Sequence, residues 1–219
     1  MRAVGMVVET PSTPAAMNAS PRILVLFGSE SGSTKRLINR SIKAWTAKGA
    51  NLACEVMAGN DALEKFGSLE EIASNFDVLI LATCSYGCGE APVNMSMFFD
   101  MLTDRASAAP EGMAQLLPPL EGMQHTVLGC GSTVYETFMN CPRLHDKYLG
   151  ICGSRRLVMR AELDDSHELP HAEQPEYLRW VEEVFEALTQ LPPATDPPVC
   201  AWDKPGSRVT ESMSASTSW

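Results

Sequence analysis

The hydrophobic positions along this chain alternate between two spacings. Ile23-Leu24-Val25-Leu26-Phe27 is a continuous apolar run that ends at Gly28. Val78-Leu79-Ile80-Leu81-Ala82 is a second, and Thr126-Val127-Leu128, before Gly129, is a shorter third. Runs of this length that are apolar at every position predict strands buried on both faces. Residues 52–57 and 157–161 are interrupted by Glu55 and Arg160, and charge is most easily placed on a strand at a sheet edge. Between these runs the spacing becomes helical. Ile38, Ile42 and Trp45 form one stripe, and Met95, Phe98, Phe99 and Leu102 a second. Leu144, Tyr148 and Ile151 form a third, and Tyr177, Leu178, Val181, Val184, Phe185 and Leu188 the clearest. A short acidic helix is predicted over residues 68–76.

Strands alternating with helices predict an α/β fold: a doubly wound, five-stranded parallel sheet with helices on both faces. Placing the charged strands at the edges gives the order 2-1-3-4-5. Its direction reverses between strands 1 and 3, and a ligand is expected beyond the C-terminal ends of those strands. Residues 1–21 and 192–219 lack periodicity, and the latter stretch holds five prolines among many Ser and Thr. Both are expected to be disordered, leaving one ordered domain over residues 22–191.

The loops at the strand ends carry the candidate chemistry. The first reads Gly28-Ser29-Glu30-Ser31-Gly32-Ser33-Thr34-Lys35 and runs into a helix. Free N–H groups at a helix start, with hydroxyls from Ser29, Ser31, Ser33 and Thr34, suit a phosphate. The loop is neither a Walker A motif nor Gly-x-Gly-x-x-Gly, which favours a mononucleotide over ATP or a dinucleotide. The third strand leads into Ser85-Tyr86-Gly87-Cys88-Gly89-Glu90, and the fourth into Gly131-Ser132-Thr133-Val134-Tyr135-Glu136. A phosphate cradle and two tyrosines thus share one end of the sheet, an arrangement that a flat ring with a phosphate tail would fill.

Composition narrows the partners. Asp and Glu number 27 against 17 Lys and Arg, a net charge of −10, which disfavours a broad nucleic-acid surface. No apolar stretch reaches the ~20 residues of a membrane span. The seven cysteines form no paired framework, which suits a reducing, cytoplasmic setting. Cys84 and Cys88 lack the further cysteine of a radical cluster motif, since position 91 is Ala91. His167 and His171 are expected on a solvated loop, and no metal site is expected.

Taken together, GSESGSTK, CSYGCGE and LGCGSTVYETF resemble the FMN-binding, flavodoxin-like domain of diflavin reductases, from Arg22 to about Leu188. That domain occurs in cytochrome P450 reductase, the sulfite reductase flavoprotein and the nitric oxide synthase reductase region. The resemblance implies FMN held by Ser29, Glu30, Ser31, Gly32, Ser33 and Thr34 at its phosphate. It implies Ser85, Tyr86 and Gly87 on one flavin face, and Gly131, Ser132, Thr133, Val134, Tyr135, Glu136 and Phe138 on the other. Asp164 and Asp165 match an acidic pair close to the flavin, and Gly87 a peptide turned toward flavin N5 that eases one-electron steps. No catalytic acid, base or nucleophile is implied.

The chain departs from the family pattern at Glu30, Cys84, Cys88 and Cys130, and residues 103–119 read as a longer loop than the minimal domain needs. The implied function is single-electron shuttling between a reductase and a haem or iron–sulfur acceptor. Such partners would dock at an acidic rim of Glu90, Glu136, Asp164, Asp165 and Glu168. Three alternatives stand beside it: an NAD(P)H-dependent quinone or metal reductase, the FMN module of a larger diflavin reductase or tRNA-modifying radical enzyme, and a non-redox module with a decayed flavin site.

Overall fold

A computed structural model describes residues 20–50, 52–108 and 118–191 of the 219. The ends expected to be disordered lie, apart from Ser20 and Pro21, outside the described residues. The sheet is built from β1 (Arg22–Gly28), β2 (Ala53–Ala58), β3 (Val78–Cys84) and β4 (Gln124–Gly131), and two short pieces, β5 (Arg155–Arg156) and β6 (Ala161–Asp164). The order is β2-β1-β3-β4-β5, all pairs are parallel, and β6 also pairs with β4.

Each central strand sends alternate side chains to opposite layers. Ile23, Val25, Ile80 and Leu128 pack with Trp45 of α1 (Ser33–Ala47) and with Trp180 and Val184 of α6 (Pro175–Gln190). Leu24, Leu26, Leu79, Leu81 and Val127 face the other layer. That layer holds α2 (Gly59–Phe66), α3 (Leu69–Asn75), α4 (Ser96–Ser107) and α5 (Asn140–Ile151). The Trp45 and Trp180 rings stand 6.0 Å apart, and their indole N–H groups donate to the Val181 carbonyl and the Thr126 hydroxyl. No helix among the described residues is long and apolar enough to cross a membrane.

Four expectations need correction. The predicted fifth strand over residues 157–161 is split. Arg156 pairs with His125 and Ala161 with Leu128, so residues 157–160 stand against only Thr126 and Val127 and bulge out of the ladder. The bulge brings Arg156 and Arg160 to a single carboxylate, Asp146, at 2.7 and 2.8 Å. The stripe on α5 is also displaced. Ile151 is exposed, and the buried side is Cys141, Pro142, His145, Asp146 and Leu149. Its charged member is satisfied internally: Asp146 meets the fully buried His125 at 3.2 Å as well as the two arginines, whereas His145 bonds only through Nδ1 and its Nε2 is buried without a partner. Residues 103–107, read as loop, continue α4, and residues 109–117 of that stretch lie outside the described residues. On α6, Leu178 is exposed and Trp180 takes the core position.

Candidate functional site

The C-terminal ends of β1, β3, β4 and β6 meet at one edge, where the direction of winding reverses. β1 delivers Ser29–Ser33 into α1. Gly32 precedes the helix with φ 71°, a conformation that disfavours a β-carbon, and α1 starts without a side-chain cap. Its first N–H groups are therefore left for another acceptor. Ser29 is 6% exposed, and its hydroxyl oxygen is buried without a hydrogen-bond partner. The backbone N–H of Ser29 donates to Asn94 Oδ1 at 3.1 Å. Glu30 does not turn its charge into this cradle, because its carboxylate accepts the Val93 N–H at 3.0 Å. The hydroxyl of Thr34 is buried and donates to the Gly28 carbonyl at 3.2 Å. Its single hydrogen is thus committed to the backbone, whereas Ser31 and Ser33 keep theirs available.

β3 leads into a tight loop. The Tyr86 N–H donates to the Glu90 carbonyl at 3.0 Å, and the Tyr86 carbonyl accepts from the N–H groups of Gly89 and Glu90. Gly87 turns this loop with φ 52°. The loop holds Tyr86 out from the sheet, 55% exposed. After β4, Tyr135 projects from the facing loop at 65% exposure. Between them lies a cleft of about 340 Å³ lined by Ser85, Tyr86, Gly87, Ser132, Tyr135, Thr137 and Phe138. Two large rings left exposed on facing loops form walls for a flat aromatic group.

Ser85 anchors both loops: its N–H donates to the Cys130 carbonyl, and its hydroxyl oxygen accepts the Cys141 N–H near the start of α5. Met139, fully buried, turns the second loop into α5 with φ 59°, a strained conformation for a residue with a side chain.

The structure groups the sequence candidates into three sets. Ser85, Tyr86, Gly87, Ser132, Tyr135 and Phe138 share the cleft, while Thr133, Val134 and Glu136 face outward on its rim. Ser29, Glu30, Ser31, Gly32, Ser33 and Thr34 form the adjacent cradle. Cys84 joins the two regions, with its sulfur 3.9 Å from the Gly28 carbonyl and its strand position paired with Cys130. Burial, with help from the Asp165 and Glu30 carboxylates, pushes the Cys84 thiol up to about 11. Burial raises the Cys130 thiol as well. Both are therefore neutral thiols beneath the site, Cys130 in the core and Cys84 packed against it. Cys88 is exposed on the tyrosine loop.

Asp164 and Asp165 differ in role. The Asp164 carboxylate accepts from the Thr133 N–H, the Thr133 hydroxyl and the Ser166 N–H, at 2.7–3.0 Å. Desolvation opposes its charge, but these donors prevail and hold it below the ordinary carboxylate range. Asp164 thus ties the β4 loop to the β6 loop. Asp165 is exposed, 2.9 Å from His171 Nε2, an ion-pair distance without hydrogen-bond alignment.

Sequence reasoning missed Thr137 in the cleft, Asn94 behind the cradle, and Gln174. Gln174 is 1% exposed, and its amide both donates to the Asp164 carbonyl and accepts the Asp164 N–H, as a neighbouring strand would. Thr137 lies within the LGCGSTVYETF segment, between Glu136 and Phe138, and could have been found there; Asn94 and Gln174 belong to no motif or periodic stripe. Among the described residues, no cluster of His, Cys, Asp and Glu is arranged to hold a metal ion.

Comparison with known proteins agrees with this geometry. Residues 25–177 match the flavodoxin family model. A methionine synthase reductase from Caenorhabditis elegans is 30% identical over 165 residues, which is 75% of this chain and 21% of that protein. The sulfite reductase [NADPH] flavoprotein alpha-component of Photobacterium profundum is 25% identical over 76% of this chain and 24% of its own length. The chain thus spans about a quarter of the length of the curated relatives it matches. Among solved structures, a flavodoxin from Pseudomonas aeruginosa has a TM-score of 0.55 at 20% identity, covering 77% of this chain and 99% of that one, a likeness of fold. Cradle, paired tyrosines, strand order and family match converge: the chain belongs to the flavodoxin family of FMN-binding, electron-transfer domains.

Proposed function

We propose that this chain takes electrons singly from a reductase and passes them to a haem or iron–sulfur acceptor through FMN, working in the cytoplasm as one folded domain over residues 22–191. Bound FMN supplies the redox chemistry. The chain supplies position, shielding and charge. The hydroxyls of Ser29, Ser31 and Ser33 and the open N–H groups at the start of α1 hold the phosphate. Tyr86 and Tyr135 clasp the ring and exclude water from its faces, with Ser85, Gly87, Ser132 and Phe138 completing the walls. Gly131, Thr133, Val134, Glu136 and Asp165 frame the edge. Cys usage supports the reducing compartment.

Exposed Glu90, Glu136, Asp165 and Glu168 support an acidic rim for a basic partner. Asp164 adds less to that rim than its position implies, because its carboxylate is bound to Thr133 and Ser166.

The observation that carries the reading is the pair of exposed tyrosines on one cleft at the sheet's switch point. The test is the absorption spectrum of purified protein, with FMN added and then washed away. One retained FMN, lost on Tyr86→Ala or Ser31→Ala and reduced in two separate one-electron steps, is the expected result. A colourless protein that ignores FMN would leave a flavodoxin fold without its chemistry. Reduction of the bound flavin by NADPH alone would instead make the chain a self-sufficient reductase.

A second reading keeps the site and changes the setting. Alignment to about a quarter of the two reductases named above favours an FMN module that serves a larger diflavin reductase.

A further inference from the structure

Lys35 and Arg36 close the first turn of α1, where the positive end of the helix disfavours cations. That turn carries no acidic residue, whereas α2, α3 and α6 each place one there. Lys35 finds a partner in the Phe27 ring, 4.8 Å away. Arg36 turns back over the loop. Its Nη1 donates to the Ser31 carbonyl at 2.9 Å and lies 3.6 Å from where a β-carbon on Gly32 would stand.

A trans peptide points its C=O and N–H in opposite directions. With the Ser31 carbonyl held by the guanidinium, the N–H of Gly32 on the same peptide is fixed away from Arg36. The same loop carries the Ser29 hydroxyl, buried and without a partner. A cation here serves no capping role for the helix; it rigidifies one peptide of an anion-binding turn.

We propose that Arg36 is a positioning residue of the phosphate cradle: it locks the Ser31–Gly32 peptide with the Gly32 N–H turned to the phosphate. This rests on the FMN reading above and adds a residue to it. Arg36 discriminates phosphorylated from unphosphorylated flavin without touching the ring.

The test titrates apoprotein with FMN and with riboflavin, which lacks the phosphate, in wild type, Arg36→Ala and Arg36→Lys. Arg36→Ala is expected to weaken FMN about tenfold, the scale of one hydrogen bond to a charged group, and to leave riboflavin unchanged. Arg36→Lys keeps the charge without the planar fork and should fall between. A second readout needs no flavin: inorganic phosphate should shift the Gly32 amide resonance of wild-type apoprotein and shift it less in Arg36→Ala. Equal weakening of both flavins, or of neither, overturns the role of Arg36. A wild type that takes neither flavin while its Gly32 amide still answers phosphate through Arg36 sinks the FMN reading and keeps this one. A wild type blind to FMN and phosphate alike sinks both.

Discussion

His145 shows how far one residue can depart from its ordinary chemistry. It lies on α5, fully buried, its ring 4.6 Å from that of Phe99 and stacked at 6.5 Å on Phe98. Burial lowers its pKa to about 4, with the Cys141 carbonyl, 2.9 Å from Nδ1, only partly opposing the shift. The sign follows from the unfolded chain, where the imidazole takes a proton near 6.5. The folded protein does not take that proton until about pH 4, so the contribution is complete above pH 6.5 and is lost as pH falls toward 4. From pH 7 to pH 5 wild type should lose about 2 kcal/mol of stability through this group. Urea unfolding at the two pH values measures it; a His145→Leu variant should lose that difference, and an unchanged slope would acquit the residue.

At the scale of elements, what the sequence disclosed and what it hid separate cleanly. β1, β3 and β4 were legible because a strand buried on both faces must be apolar at every position. The three strand-end loops were legible because glycine, hydroxyls and an isolated tyrosine are a costly way to build an ordinary turn. Ser68 capping α3, with its hydroxyl oxygen accepting the Glu71 N–H, was also within reach. The α5 face was not. Asp146 and His145 are polar letters in core positions: Asp146 is made acceptable there by partners off its own helix, His125, Arg156 and Arg160, and His145 by lying as a neutral ring against Phe98 and Phe99. The split fifth strand was hidden for the same reason, since its bulge answers Asp146 on α5 rather than any local preference. Asp146→Asn should therefore cost about 2–3 kcal/mol, because it weakens the charge-assisted bonds to partly buried Arg160 and exposed Arg156 and leaves His125 facing an amide. Chemical denaturation reads the loss; a change below about 1 kcal/mol would reduce the cluster to a surface ion pair.

Across the whole molecule, charge and shape divide the labour. The core holds the two layers together, and the loops at one sheet edge carry all the proposed chemistry. The net charge of −10 reaches beyond that edge. Electron transfer to a basic haem protein should slow as ionic strength rises from about 0.01 M to about 0.15 M, which shortens the Debye length from about 30 Å to about 8 Å. Stopped-flow rates across that range decide the point, and a flat profile would remove the acidic rim from docking. The bulge at residues 157–160 has an effect of a different kind. A parallel sheet of this sort ends in a row of unsatisfied backbone groups, which invites a strand from another molecule. Here that border is broken into pieces of two and four residues, β5 and β6, with arginines flanking the gap. A foreign strand finds no continuous template to extend, so the same contacts that anchor Asp146 also guard the open side of the sheet against self-association in a crowded cell.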